Sequence, residues 1–140
     1  MKTGRMLLAA LAIWIFGTIW MFLTCGWLFS WIYEIEPIIW YSAEAMMSAQ
    51  TLIFSNLFGI LSAVIFVLVF AVLYKGIPKK GISKGLVYGF LVWLIGPFSG
   101  MISMPLYMTI APAVVVYWII SALITFLIMG VIAGAIYKPK

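Results

Sequence analysis

The sequence predicts an all-α membrane protein, a bundle of four transmembrane helices that takes up residues 1–140 as one integral membrane domain. Three observations predict it. Of the 140 residues, 67% are hydrophobic and only 8% charged, against about 45–50% and 25% in soluble domains. Mean hydropathy is +1.27, more apolar surface than a soluble chain of this size can hide. Four stretches also reach the roughly 20 apolar residues that a spanning helix needs.

The first stretch runs from about Met6 to Tyr33 without a charge. Lys2 and Arg5 give it a basic start, and Leu23-Thr24-Cys25-Gly26 faintly resembles a lipoprotein cleavage site. The apolar run is too long for a signal peptide and continues past Cys25 as Trp27-Leu28-Phe29, so it reads as a retained helix. The outer loop, residues 34–50, comes next. Glu36-Pro37 has the signature of a helix start, proline in the first turn and acid at the positive dipole end. A short helix over 38–50, or a forward extension of the next span, is expected. The second span covers about Thr51 to Tyr74, and residues 75–84 form a basic loop. The third covers about Gly85 to Thr109, with kinks expected at Pro97 and Pro105. The fourth covers about Pro112 to Tyr137.

Charge fixes the expected orientation. All eight basic residues fall on one side of this register: Lys2 and Arg5, then Lys75, Lys79, Lys80 and Lys84, then Lys138 and Lys140. The only acids, Glu34, Glu36 and Glu44, fall on the other. The positive-inside rule then puts the N- and C-termini in the cytoplasm. A prokaryotic cytoplasmic (inner) membrane, crossed several times, is the expected location. Tyrosines agree: Tyr74, Tyr88 and Tyr137 fall at the inner interface, and Tyr33, Tyr41, Tyr107 and Tyr117 at the outer one, where an apolar ring with a polar tip is at home. The basic side suits anionic lipid. Four lysines in a ten-residue loop make a poor nucleic-acid site, so no nucleic-acid partner is expected.

The register permits two tandem helical hairpins. Trp14-Ile15-Phe16-Gly17 resembles Trp93-Leu94-Ile95-Gly96, Leu61-Ser62-Ala63 resembles Ile120-Ser121-Ala122, and the second and fourth spans both end in Tyr-Lys. A parallel duplication of this kind occurs in transporters and is equally compatible with a passive scaffold.

Composition removes much chemistry. Without histidine there is no imidazole base and no His-based metal or haem site. One cysteine allows neither an internal disulfide nor a dithiol pair. No acid lies within a span, which argues against a proton- or sodium-coupled carrier. The three loop carboxylates have no His, Cys or basic companion that would make a catalytic dyad. No enzyme activity, cofactor or metal site is expected.

Glycine is the most patterned residue. Gly81, Gly85, Gly89, Gly96 and Gly100 form one stripe of the third span, and Gly130 and Gly134 lie four apart on the fourth. In lipid, small residues at this spacing let helices approach closely, so the stripes read as a packing seam or subunit interface; a lipid or ligand groove is the alternative. On a seam, Gly89→Leu would wedge the helices apart while Gly89→Ala would be tolerated. At Gly96-Pro97 the missing donor frees carbonyls near the midplane, which serves a kink or, in a broken-helix transporter, a cation.

Two other faces carry ligand readings. Trp20, Thr24, Trp27 and Trp31 share a face that suits a quinone or pigment ring, or an interfacial belt buried on a partner; Asn56 is the one carboxamide within a span. Met101, Met104 and Met108 lie on one face of the third span, with Met46, Met47 and Cys25 on the same side of the membrane. Thioethers suit Cu(I), and they also fill irregular helix contacts. The expected function is therefore non-enzymatic: an accessory or structural subunit of a larger membrane complex, or a homo-oligomer, acting through helix packing. A small transporter or channel for Cu(I) or a lipophilic ligand is the alternative.

The charge segregation yields a direct test. In a Cys25→Ser background, an impermeant thiol reagent is expected to label Ser42→Cys from outside, and Ser83→Cys only once the membrane is opened. The reverse pattern would overturn the orientation.

Overall fold

The computed structural model describes residues 3–138. Four of its helical segments are long and apolar enough to cross a membrane: Thr3–Leu28, Ala49–Leu73, Gly81–Tyr107 and Pro112–Ile136. A helix satisfies its own backbone groups, which is why these stretches can be helical in lipid. The first consists of α1 (Thr3–Leu23) and a π-helical turn (Thr24–Leu28). A 3₁₀ segment (Ser30–Glu34) leads into the acidic loop, which holds the short helix α2 (Ala43–Met46). The second span is α3 (Ala49–Leu73). The third is α4 (Gly81–Trp93), a π turn (Leu94–Phe98), α5 (Ser99–Met101) and α6 (Met104–Tyr107). The fourth is α7 (Pro112–Ile136), with proline in its first turn.

The acidic loop differs from expectation. Pro37 starts no helix, because the Glu36 carboxylate turns back and accepts from the Ile38 N–H at 3.3 Å. Helix starts fall instead on two serines. Ser42 Oγ accepts from Ala45 N–H and Ser48 Oγ from Thr51 N–H, each at 3.3 Å, satisfying first-turn donors.

The closest helix contact joins α4 to α7. A methyl built on Gly85 would collide with the Gly130 carbonyl, one on Gly89 with the Phe126 carbonyl, and one on Gly130 with the Gly85 carbonyl. The Gly81 carbonyl faces Gly134 in the same way. Gly81 also has φ +55°, a conformation open to glycine, where the chain turns out of the basic loop into α4. Gly96 and Gly100 do not share this seam: a Cβ on either meets nothing within 4 Å. The π turn explains it. It inserts one residue into the helical register and rotates the remainder of the span by about 100°.

At the basic end, Ala9, Ala10 and Ile13 of α1, Ala63, Phe66, Val67 and Phe70 of α3, and Ala133 of α7 form the core with Tyr88 and Tyr137. Tyr88 packs on Phe66 and Phe70, with ring centroids 4.7 and 5.1 Å away, and donates to the Phe66 carbonyl at 2.8 Å. Tyr88 and Tyr137 are thus buried in the core. Arg5 donates to the Lys138 carbonyl at 3.1 Å, so the start of α1 and the end of α7 meet. Lys2 and Lys140 lie outside the described residues. Lys84 is only 7% exposed. Its ammonium donates to the carbonyls of Tyr74 and Ile77, each at 2.6 Å, and sits 4.3 Å from the Tyr74 ring centroid. It closes the C-terminal end of α3, where helix carbonyls lack partners, and is withdrawn from the lipid headgroups expected to meet the basic side. A smaller cluster, Ile32, Ile110, Val114 and Val115, holds the acidic end.

These contacts make two expectations measurable. Because the first carbon already meets backbone, Gly89→Ala should itself destabilise the bundle, against the expectation from spacing, and Gly89→Leu more so. Overpacking of this kind costs about 1–3 kcal/mol, read as a lowered melting temperature in detergent. Lys84→Met should lower stability by about 1.5–3 kcal/mol, the weight of charge-assisted hydrogen bonds. An unchanged melting temperature would show that the Lys84 cap carries nothing.

Candidate functional site: a cleft between the first two spans

The α4–α7 seam leaves α3 thinly covered. Phe66, Val67 and Phe70 are buried near its basic end, while Ile53, Phe54, Leu57 and Phe58 toward the acidic end are all more than half exposed. Between this part of α3 and α1 lies a cleft of about 220 Å³. Ile13, Trp14 and Thr18 wall it on one side, and Ser55, Asn56 and Ser62 on the other. The Trp14 ring fills the space that a side chain on Gly59 would take: a Cβ there would stand 3.3 Å from Trp14 Cδ1. Asn56 donates to the Leu52 carbonyl of its own helix at 2.8 Å, as Thr18 does to Trp14 at 3.0 Å. The Trp14 indole N–H is buried without a partner among the described residues.

Toward the acidic end lies a second space, a vestibule of about 750 Å³. Met21, Phe22 and Leu52 line both spaces. Its aromatic wall comes from Tyr33, Trp40 and Tyr41, and its hydroxyls include Ser30 and Ser42. Tyr33 meets Trp40 edge-on at 4.9 Å, and Trp40 meets Trp118 of α7 at 5.8 Å, which ties the loop to the bundle. The Trp40 indole N–H is likewise buried with no partner among the described residues. Burial, and then the neighbouring Cys25 thiol, pushes the Tyr33 phenol above its ordinary pKa.

The expected site residues scatter. The π turn at Thr24–Leu28 breaks the register on which one Trp20–Trp31 face depends. Thr24 is buried and donates to the Trp20 carbonyl at 2.7 Å. Trp20 stacks on Phe16 at 5.9 Å. Trp27 is 72% exposed, and Trp31 lies edge-on to Tyr117 at 6.4 Å. Only Asn56 of that set lines the cleft. Pro97 lies inside the π turn, where Ser99 Oγ donates to the Leu94 carbonyl at 2.7 Å. Pro105 stands in the first turn of α6, after the turn at 102–103 that interrupts the third span. Met101 and Met104 pack on the cluster at the acidic end, and Met108 is exposed. It is Met21, Met46 and Met47 that line the vestibule with Cys25.

The sequence pattern placed Trp14 and Ser62 in the hairpin repeat and not in a site, and Thr18 and Ser55 were passed over. A signal existed: Ser55, Gly59 and Ser62 recur at spacings of four and three, the small-residue pattern of one helix face. No family model matches the chain, and no curated protein and no solved structure matches it.

Proposed function

We propose that this small integral membrane protein works without catalysis and binds a lipophilic molecule taken from the bilayer, in the cleft between α1 and α3. The neighbourhood of the two spaces carries this reading, because Met21, Phe22 and Leu52 border both a mostly apolar cleft within the span and a polar-rimmed space at one end. Ligand sites have this character, mostly apolar with a few placed polar groups. The protein is read as a multi-pass protein of a prokaryotic cytoplasmic membrane, with the acidic end outside. At the basic end, exposed Arg5, Lys75, Lys79, Lys80 and Lys138 would meet anionic lipid.

The accessory-subunit or homo-oligomer reading rests on a different observation. The Gly81–Gly134 seam closes within the chain and asks for no partner. Gly96 and Gly100, four apart beside the 76% exposed Ile95, remain open, and a second helix could approach there.

Native mass spectrometry of the protein in mild detergent separates the two. A bound lipid-sized adduct is expected in the wild type and is expected to be lost in Ser62→Phe, which plugs the cleft while leaving the seam intact. An adduct-free wild type whose oligomer falls apart in Gly100→Leu would instead establish the subunit reading.

A further inference from the structure

The depth of the cleft narrows the ligand. Leu61 is the middle residue of α3 (Ala49–Leu73), so Ser62 stands at the centre of that span. Asn56 stands about 8 Å from Leu61 along the helix, at 1.5 Å per residue. A hydrocarbon core of about 30 Å reaches about 15 Å to either side of its centre. The ester and head groups of a phospholipid lie outside that core and do not reach Asn56.

Polar groups nonetheless face the cleft at this depth. Asn56 gives one N–H to the Leu52 carbonyl at 2.8 Å. A carboxamide has a second N–H and an oxygen with two lone pairs, and Asn56 lines the cleft beside the Ser55 and Ser62 hydroxyls. A plain acyl chain would leave these groups unpaired in hydrocarbon, which is costly. A charged ligand is no better served, because no ionisable side chain is among the lining residues to offset its desolvation. The Trp14 indole N–H is closed off beside Gly59, so Trp14 offers the cleft its ring and not its donor.

Volume sets a second limit. A cavity of about 150 Å³ holds one benzene ring, and a whole drug-sized molecule takes about 300–1,000 Å³. At about 220 Å³ the cleft has room for one substituted ring. Any tail then stays in the surrounding lipid. Trp14 gives such a ring an aromatic neighbour, against which rings pack offset or edge-on.

We infer that the cleft takes a neutral single-ring lipophile bearing a carbonyl or hydroxyl oxygen, of the quinone or phenol class, with its ring against Trp14 and its oxygen at Asn56. The inference rests on the proposed binding role of the cleft and adds the chemistry of the ligand. A carbonyl would accept from the second Asn56 N–H, and a hydroxyl would donate to Asn56 Oδ1.

The test uses three probes of equal carbon count on the purified protein in nanodiscs of neutral lipid, with bound fractions read by native mass spectrometry. 2-Decyl-1,4-benzoquinone has both ring and oxygen, decylbenzene the ring alone, and hexadecan-2-one the oxygen alone. The wild type should bind the quinone about tenfold more tightly than either control, the weight of one or two hydrogen bonds. Asn56→Leu should bring the quinone down to the level of decylbenzene and leave decylbenzene unchanged. The Asn56 bond lies within its own helix, so this variant keeps its helix contacts. Ser62→Phe should lose all three probes. Decylbenzene binding as well as the quinone, or a preference that survives Asn56→Leu, would overturn the oxygen assignment. Hexadecan-2-one binding as well as the quinone would overturn the ring. If no probe binds while the wild type keeps a lipid-sized adduct that Ser62→Phe removes, this inference falls and the cleft reading stands. If neither probe nor adduct binds to the folded wild type, both fall.

Discussion

The backbones of α4 and α7 touch. The Gly85 and Gly130 carbonyls each occupy the place where the other residue's Cβ would be, and the remaining contacts of the basic half are arranged around that closeness. Lipid surrounds helices with a medium as apolar as their own side chains, so nothing squeezes them together and association depends on how near the backbones come. The seam sets the position of α4, and α4 sets the positions of Tyr88 and Lys84. Tyr88 then reaches the Phe66 carbonyl on α3, and Lys84 closes the end of that same helix. A pair of glycine helices thus anchors a third helix through two long polar side chains at one end.

The same arrangement accounts for the part of α3 left open. The anchors on α3 all lie toward the basic end, from Phe66 to Ile77. Toward the acidic end, α1 runs beside α3, with Trp14 set against Gly59. A cleft persists there, and Met129 is the one residue of α7 among those that line it. The π turns contribute. The one at Thr24–Leu28 redirects α1 as it leaves the bundle, and the one at Leu94–Phe98 turns the third span's last glycines away from α7.

Polar groups within the spans divide into two sets. Thr18, Thr24, Asn56 and Thr125 each donate to the carbonyl four residues back, so they ask nothing of other helices. Tyr88 and Trp93 donate across helices, to Phe66 and Ile119. Trp14 matches Trp93 in the sequence pattern, yet its indole N–H has no partner among the described residues, and the same holds for the Trp20 and Trp40 indoles and the Tyr117 hydroxyl. An unpaired donor removed from water is costly; of these four groups, Trp14 lines the cleft and Trp40 the vestibule.

The sequence by itself determined the helical class, the four spans and the separation of charge between the two ends. Those properties arise from length, hydropathy and the cost of burying charge, which act residue by residue. It also carried the glycine spacing, and with it the chance of a close contact. Which glycines meet was decided only in three dimensions, because one inserted residue in a π turn rotates Gly96 and Gly100 off the face that Gly85 and Gly89 share. The tryptophan face failed for the same reason at Thr24–Leu28. Lys84 looked like one more charge at the basic end and proved to be an internal cap, since only the fold brings Tyr74 and Ile77 over it. The cleft was least legible of all. Helices that are apolar all round give no sign of which face a neighbour covers, so the gap between α1 and α3 depends on where the other two helices stand.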